Sequence, residues 1–185
     1  MRVEVRFETD AAAEVQRIAA AGAPGGYQDL RENPLGLDEI EPARKHPPLR
    51  SFLAALNSED SLFATLRCRA EAATAGAESE FSTEVALAFV LPAFNADPER
   101  YENLTARLQE LLTAGAADTL TATLRVRRCL LPPAGTRGLC LLIRLAAHGA
   151  TPQQAELRWS LGLVRVQQAL LFLSRTFRHQ MAQGS

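Results

Sequence analysis

The chain has 185 residues and a mass of 20.1 kDa, with 47% hydrophobic residues, 22% charged residues and a formal net charge of −1. That apolar content supports one real core and excludes disorder over most of the chain, and the near-neutral charge gives no bulk attraction for nucleic acid. No membrane span is expected, because the uncharged run Val85–Ala96 is well short of the about 20 residues a spanning helix needs.

Residues 2–8 alternate, with Val3, Val5 and Phe7 on one side and Arg2, Glu4, Arg6 and Glu8 on the other. This predicts a half-buried strand. The same residues lack the apolar stretch of a secretory leader, so the expected compartment is cytoplasmic. Thr9 or Asp10 offers an N-cap for a short Ala-rich helix to about Ala21. From Gly22 to Pro48 glycines and prolines break every pattern, although Leu35, Leu37 and Ile40 could pin this loop to a surface. Residues 49–57 place Leu49, Phe52, Leu53 and Leu56 at helical spacing.

An internal repeat follows. Leu62, Ala64, Thr65, Leu66, Arg67 and Arg69 match Leu120, Ala122, Thr123, Leu124, Arg125 and Arg127 at an offset of 58 residues. The same offset relates Arg100, Tyr101, Arg107, Gln109 and Leu112 to Arg158, Trp159, Arg165, Gln167 and Leu170. Each copy reads as a strand, a turn (72–80; 132–138), a second apolar strand (84–91; 139–147) and an amphipathic helix. Asp97-Pro98 and Thr151-Pro152 are matching helix starts. The expected fold is α+β: a single domain over 1–185 with an antiparallel sheet packed by helices. It divides into an N-terminal βα extension (1–21), the Pro/Gly-rich loop (22–48) and two consecutive ββα units (49–117 and 118–185), the second ending in a long helix.

Alternation puts Leu62, Ala64, Leu66 and Cys68 on one face of the first strand, as it does Leu120, Ala122, Leu124 and Val126 in the second copy. Arg67, Arg69, Arg125 and Arg127 point the other way. If these two strands are neighbours, four arginines gather on the open face, which is either simply solvated or suited to an acidic or extended peptide. In the last helix, Trp159, Leu163, Val166, Leu170, Leu173 and Phe177 form one heptad seam. Leu157, Leu161, Val164, Leu171 and Phe172 lie outside it and leave apolar surface for a second copy of the chain or a partner segment to cover.

Cys68, Cys129 and Cys140 form no CxxC pair and read as free buried thiols. His46, His148 and His179 have no neighbours at ligand spacing, so neither a metal nor a cofactor is expected. No nucleophile elbow, phosphate loop, dinucleotide fingerprint or zinc-protease motif occurs, and no catalytic residue is assigned.

The run Ala86–Glu99, the hairpin Leu120–Leu131 and Gly138–Leu145, and Gly149–Gln154 opening the terminal helix resemble the type III secretion chaperone-like superfamily, which includes the Tir-chaperone and YbjN-type proteins. The resemblance spans about residues 50–180 and departs from the family pattern in residues 1–48. It implies a small homodimeric α+β binding protein without catalytic residues, and in the chaperones an extended segment of a partner lies over apolar grooves. The leading expectation is therefore a non-enzymatic homodimer that binds a protein or peptide partner. Arg67, Arg69, Arg125, Arg127, Leu161, Val164, Leu171 and Phe172 are its candidate contacts. Two alternatives stand beside it: a ligand-binding protein or enzyme with a pocket under the 22–48 loop, with Arg44 and His46 at its mouth, and a structural subunit of a larger assembly.

Overall fold

The structure, a computed structural model, describes residues 1–10, 15–18, 27–75, 78–114 and 119–183. Its elements in chain order are β1 (Arg2–Glu8), the two-residue β2 (Gln16–Arg17), α1 (Glu41–Lys45), α2 (Pro47–Leu56), β3 (Phe63–Ala75), β4 (Glu78–Phe89), α3 (Pro98–Thr113), β5 (Leu120–Leu131), β6 (Thr136–Gly149) and α4 (Pro152–Gln183). One-turn 3-10 helices cover Pro34–Asp38 and Pro92–Ala96. The fold is α+β, and the two ββα units follow one another as their sequence pattern predicts.

The sheet order is β1-β5-β6-β4-β3, with β2 also on β5. The β3–β4 and β5–β6 hairpins are antiparallel and meet through antiparallel β4 and β6. The second strand of each repeat is thus central and the first lies outside it. Two expectations need correction. The sheet is not wholly antiparallel, because β1 and β2 run parallel to β5. Nor does the Ala-rich helix run unbroken to Ala21: Gln16 and Arg17 pair with Cys129 and Leu130 in extended form, and residues 11–14 and 19–26 lie outside the described residues. The open edge of β5 supplies backbone partners that local helix propensity cannot outweigh.

Strands also run further than the apolar pattern suggests. β3 continues to Ala75 and β4 begins at Glu78, because cross-strand hydrogen bonds, and β6 on the other side of β4, hold a polar Ala/Glu/Ser stretch extended. The β5–β6 turn is correspondingly short, and Gly135 takes it at φ +68°.

The main core lies between the helices and one face of the sheet. Leu49, Phe52, Leu53 and Leu56 of α2 are buried, as their spacing demands. The α4 seam is buried from Trp159 to Leu173, and Phe177 is partly buried against the same core. Asp97 caps α3 by accepting the Glu99 N–H at 3.1 Å, and the Thr151 hydroxyl accepts the Gln154 N–H at 3.2 Å at the start of α4.

Buried polar groups tie elements together. Asn95 Oδ1 accepts the Phe89 N–H and its Nδ2 donates to Phe89 O, each at 2.8 Å. The Tyr101 hydroxyl lies 2.8 Å from both Asn95 Oδ1 and Leu139 O, and burial pushes that phenol well above its ordinary pKa. Trp159 Nε1 donates to Thr83 Oγ1 at 3.0 Å. Asn57, at the end of α2, donates to Thr65 Oγ1 and accepts the Thr65 N–H, anchoring the start of β3.

The far face of the sheet is not simply open. Leu66, Ala86, Ala88, Cys129, Cys140 and Leu142 form a second small core there, against which Ile18, Tyr27 and Leu131 pack. Residues 27–48 pack against both cores. Leu30 and Leu37 are buried and Ile40 packs on the main core, but Leu35 stands out in solvent.

Candidate partner-binding surfaces

The four candidate arginines do not form one cluster, because β4 and β6 separate β3 from β5. Arg67 and Arg125 instead converge on Glu84 of β4 from either side. Arg67 Nη2 is 2.8 Å from one carboxylate oxygen, and Arg125 Nη2 bonds the other. All three side chains are mostly buried. The pairing therefore works in a partly desolvated setting, where breaking it is costlier than at an exposed surface. Arg127 makes an ion pair with Glu8 of β1 at 2.8 Å. Glu80 takes Arg144 at 2.8 Å, with His148 at 4.0 Å. Arg69 is exposed and has no ion-pair partner among the described residues. By sequence Glu84 reads only as a solvated carboxylate, yet it stands directly before the apolar run Val85–Leu91, on the strand next to Arg67 and two strands from Arg125.

A β-bulge between Thr65 and Arg67 explains why simple alternation fails in β3. Before the bulge Phe63 faces the main core, and the Thr65 hydroxyl reaches Asn57. After it, Cys68 and Ala70 face that core. Leu66 and Arg67 consequently share the far face, so Leu66 does not lie with Cys68 as expected. In β5 the alternation holds throughout: Leu120, Ala122, Leu124 and Val126 are all buried in the main core.

Residues 27–42 and β3 bound a groove of about 1070 Å³ that runs along the strand from Thr65 to Glu71. Its outer wall carries Asp29, Glu32, Glu39 and Glu41. Tyr27 lies in it, donating to Asp29 Oδ2 at 3.1 Å. Burial, with the negative charge of Asp29 and Glu32, raises the Tyr27 phenol above its ordinary range. Arg44 and His46 are not at its mouth. His46 Nδ1 lies 2.8 Å from Glu156 Oε1, and its ring stands edge-on to Phe81 and Trp159 at centroid distances of 4.8 and 5.7 Å. His46 is thus a lid on the aromatic core, joining the head of α2 to α4. The cavity under this segment exists, but the histidine expected to serve it is used elsewhere.

The third surface is the outer side of α4. Leu157, Leu161, Val164 and Phe172 are 62%, 58%, 47% and 56% exposed, while Leu171 is half-buried. The heptad reading thus separates the helix correctly into a buried seam and an apolar remainder, with Leu171 nearer the boundary than its neighbours.

Cys68, Cys129 and Cys140 are free thiols. Burial pushes the Cys68 thiol up to about 12, and a hydrogen bond with Cys129 together with burial raises Cys140. Neither thiol is poised as a nucleophile. Among the described residues no group of three or more His, Cys, Asp or Glu could hold a metal ion, and no helix is long and apolar enough to cross a membrane. Comparison of the chain with protein-family models, curated proteins and solved structures returns no match.

Proposed function

We propose that this chain is a non-enzymatic, homodimeric protein of chaperone or adaptor type that holds an extended segment of a partner protein, as the chaperone-like group it resembles does. The observation that carries the reading is the apolar outer stripe of α4. From Leu157 to Phe172 it spans 16 residues of helix, about 22 Å at 1.5 Å rise per residue. Fully covering a side chain of this kind is worth roughly 1.5–3 kcal/mol. Half-exposed as they are, the four together offer on the order of 3–6 kcal/mol before the costs of association. Four such side chains on one helix face are more than scattered surface hydrophobes require. A cytoplasmic setting suits the three unpaired thiols.

The test is site-specific photo-crosslinking in cells, with benzoylphenylalanine at position 164 and, as a control, at position 109 on the exposed side of α3. The expected result is one dominant adduct at 164, mapped to a contiguous segment of a second protein, with none at 109. The adduct should disappear in a Leu161→Glu/Phe172→Glu background that melts like the wild type. Adducts only with the chain itself would reassign the stripe to self-association. No adduct at 164 would overturn the partner reading.

A further inference from the structure

We infer that the two copies of the homodimer join along the free edge of β3, in an antiparallel pair centred on Ala70 with Arg69 and Glu71 in reciprocal ion pairs. The inference rests on the homodimeric reading above and supplies its geometry. The backbone hydrogen bonds give the orientation. Phe89 uses its N–H and C=O on Asn95, while the Val90 N–H bonds Leu62 O, so even-numbered residues of β4 present their backbone groups to β3. The Thr65 N–H, turned away from β4, goes to Asn57. Beyond the bulge Arg67, Arg69 and Glu71 stand opposite Ala86, Glu84 and Ser82. Odd-numbered residues of β3 therefore bond β4, and the N–H and C=O groups of Cys68, Ala70 and Ala72 point outward. No described residue bonds them, and the groove of about 1070 Å³ runs along this edge from Thr65 to Glu71, with residues 27–42 as its other wall. Small side chains at 70, 72 and 73 permit close approach.

Charge then selects the register. Arg69 and Glu71 are exposed, share the far face of the strand and have no ion-pair partner among the described residues. In an antiparallel pair about a two-fold axis at Ala70, Ala70 exchanges hydrogen bonds with its copy. Arg69 then faces Glu71 of the second copy, and the reverse, at the closer non-hydrogen-bonded positions. Centring on Cys68 would set Arg67 against Arg69. Centring on Ala72 leaves Arg69 and Glu71 without an opposite charge. The other edge of the sheet is less suited to pairing, because β1 is short and its Arg2 and Arg6 are already paired with Glu4.

The experiment is absolute mass by size-exclusion chromatography with light scattering over a 100-fold concentration range. The wild type should run at twice 20.1 kDa. Arg69→Glu and Glu71→Arg each place like charges opposite one another twice per interface, and each should weaken the dimer at least tenfold. The double variant Arg69→Glu/Glu71→Arg restores both pairs and should recover the dimer. All three should keep the wild-type circular dichroism spectrum, since both side chains are exposed in the single copy. Single variants that leave the dimer intact, or a double variant that stays monomeric, would overturn the β3 interface while the homodimeric reading stands. Loss of the dimer only in Leu161→Glu/Phe172→Glu would move the interface to α4. A monomeric wild type would defeat both the interface and the homodimer, while the crosslinking result would still decide partner binding.

Discussion

Glu84 is where single-residue effects concentrate. Its two oxygens serve two arginines from strands on opposite sides, with all three side chains largely out of water. Glu84→Gln keeps the shape but removes the charge that both guanidinium groups face. The expected loss is about 1–2 kcal/mol of stability, because partly buried charged hydrogen bonds are worth more than exposed pairs. Urea denaturation would show it as a lower midpoint at unchanged slope, with the deficit shrinking in high salt. An unchanged midpoint would mean that water serves the arginines equally well. Cys68 makes a prediction in pH. Its thiol, raised from 9.0 to about 12, keeps its proton in the fold after the unfolded chain has lost it. Stability linked to this group is therefore complete below about pH 9 and falls between 9 and 12, by up to about 1.4 kcal/mol per pH unit. Cys68→Ala should flatten that alkaline limb. An identical slope would show that the thiol is already exposed in the native state.

Among the elements, helices and central strands are the most legible. α3 and α4 start at Pro98 and Pro152, as the sequence marks them; α2 starts at Pro47, two residues before the expected 49 and without a side-chain cap; and the α4 seam is buried as its heptad spacing requires. What the residues alone do not reveal is non-local. The bulge at Thr65–Arg67 depends on Asn57 reaching across to Thr65, so a period-two reading carried straight through β3 puts Leu66 on the wrong face. The Gln16–Arg17 bridge depends on an edge that β5 creates more than 100 residues later. The same limit applies to the surfaces. The apolar stripe of α4 is readable because it sits on one helix, whereas the groove beside β3 needs two distant segments to exist at all. Helix and sheet meet closely at Gly162, where an added Cβ would lie 3.0 Å from Leu145 Cδ2 and 3.1 Å from Leu120 Cδ2. Gly162→Leu should destabilise by about 1–3 kcal/mol, more than the about 1 kcal/mol that removing a helical glycine returns. Thermal unfolding would record it, and an unshifted midpoint would show that α4 can ride outward at no cost.

For the molecule as a whole, the fold is two ββα units set side by side through their second strands, with β1 added at one outer edge and β3 left at the other. Tyr101 and Trp159, which the repeat makes equivalent, are both fully buried, each with its polar atom hydrogen-bonded to the sheet. The parallel pairing of β1 also has a consequence in time. Arg2 pairs with Thr121 and Glu8 with Arg127, so about 120 residues separate the partners. At ribosomal rates of roughly 5–20 residues per second, β1 waits on the order of 6–24 s before its neighbour is made. During that interval Val3, Val5 and Phe7 have no sheet to join, and a bare apolar strand would invite association between nascent chains. The interleaved Arg2, Glu4, Arg6 and Glu8, which do little for the finished core, keep the segment hydrated until β5 emerges.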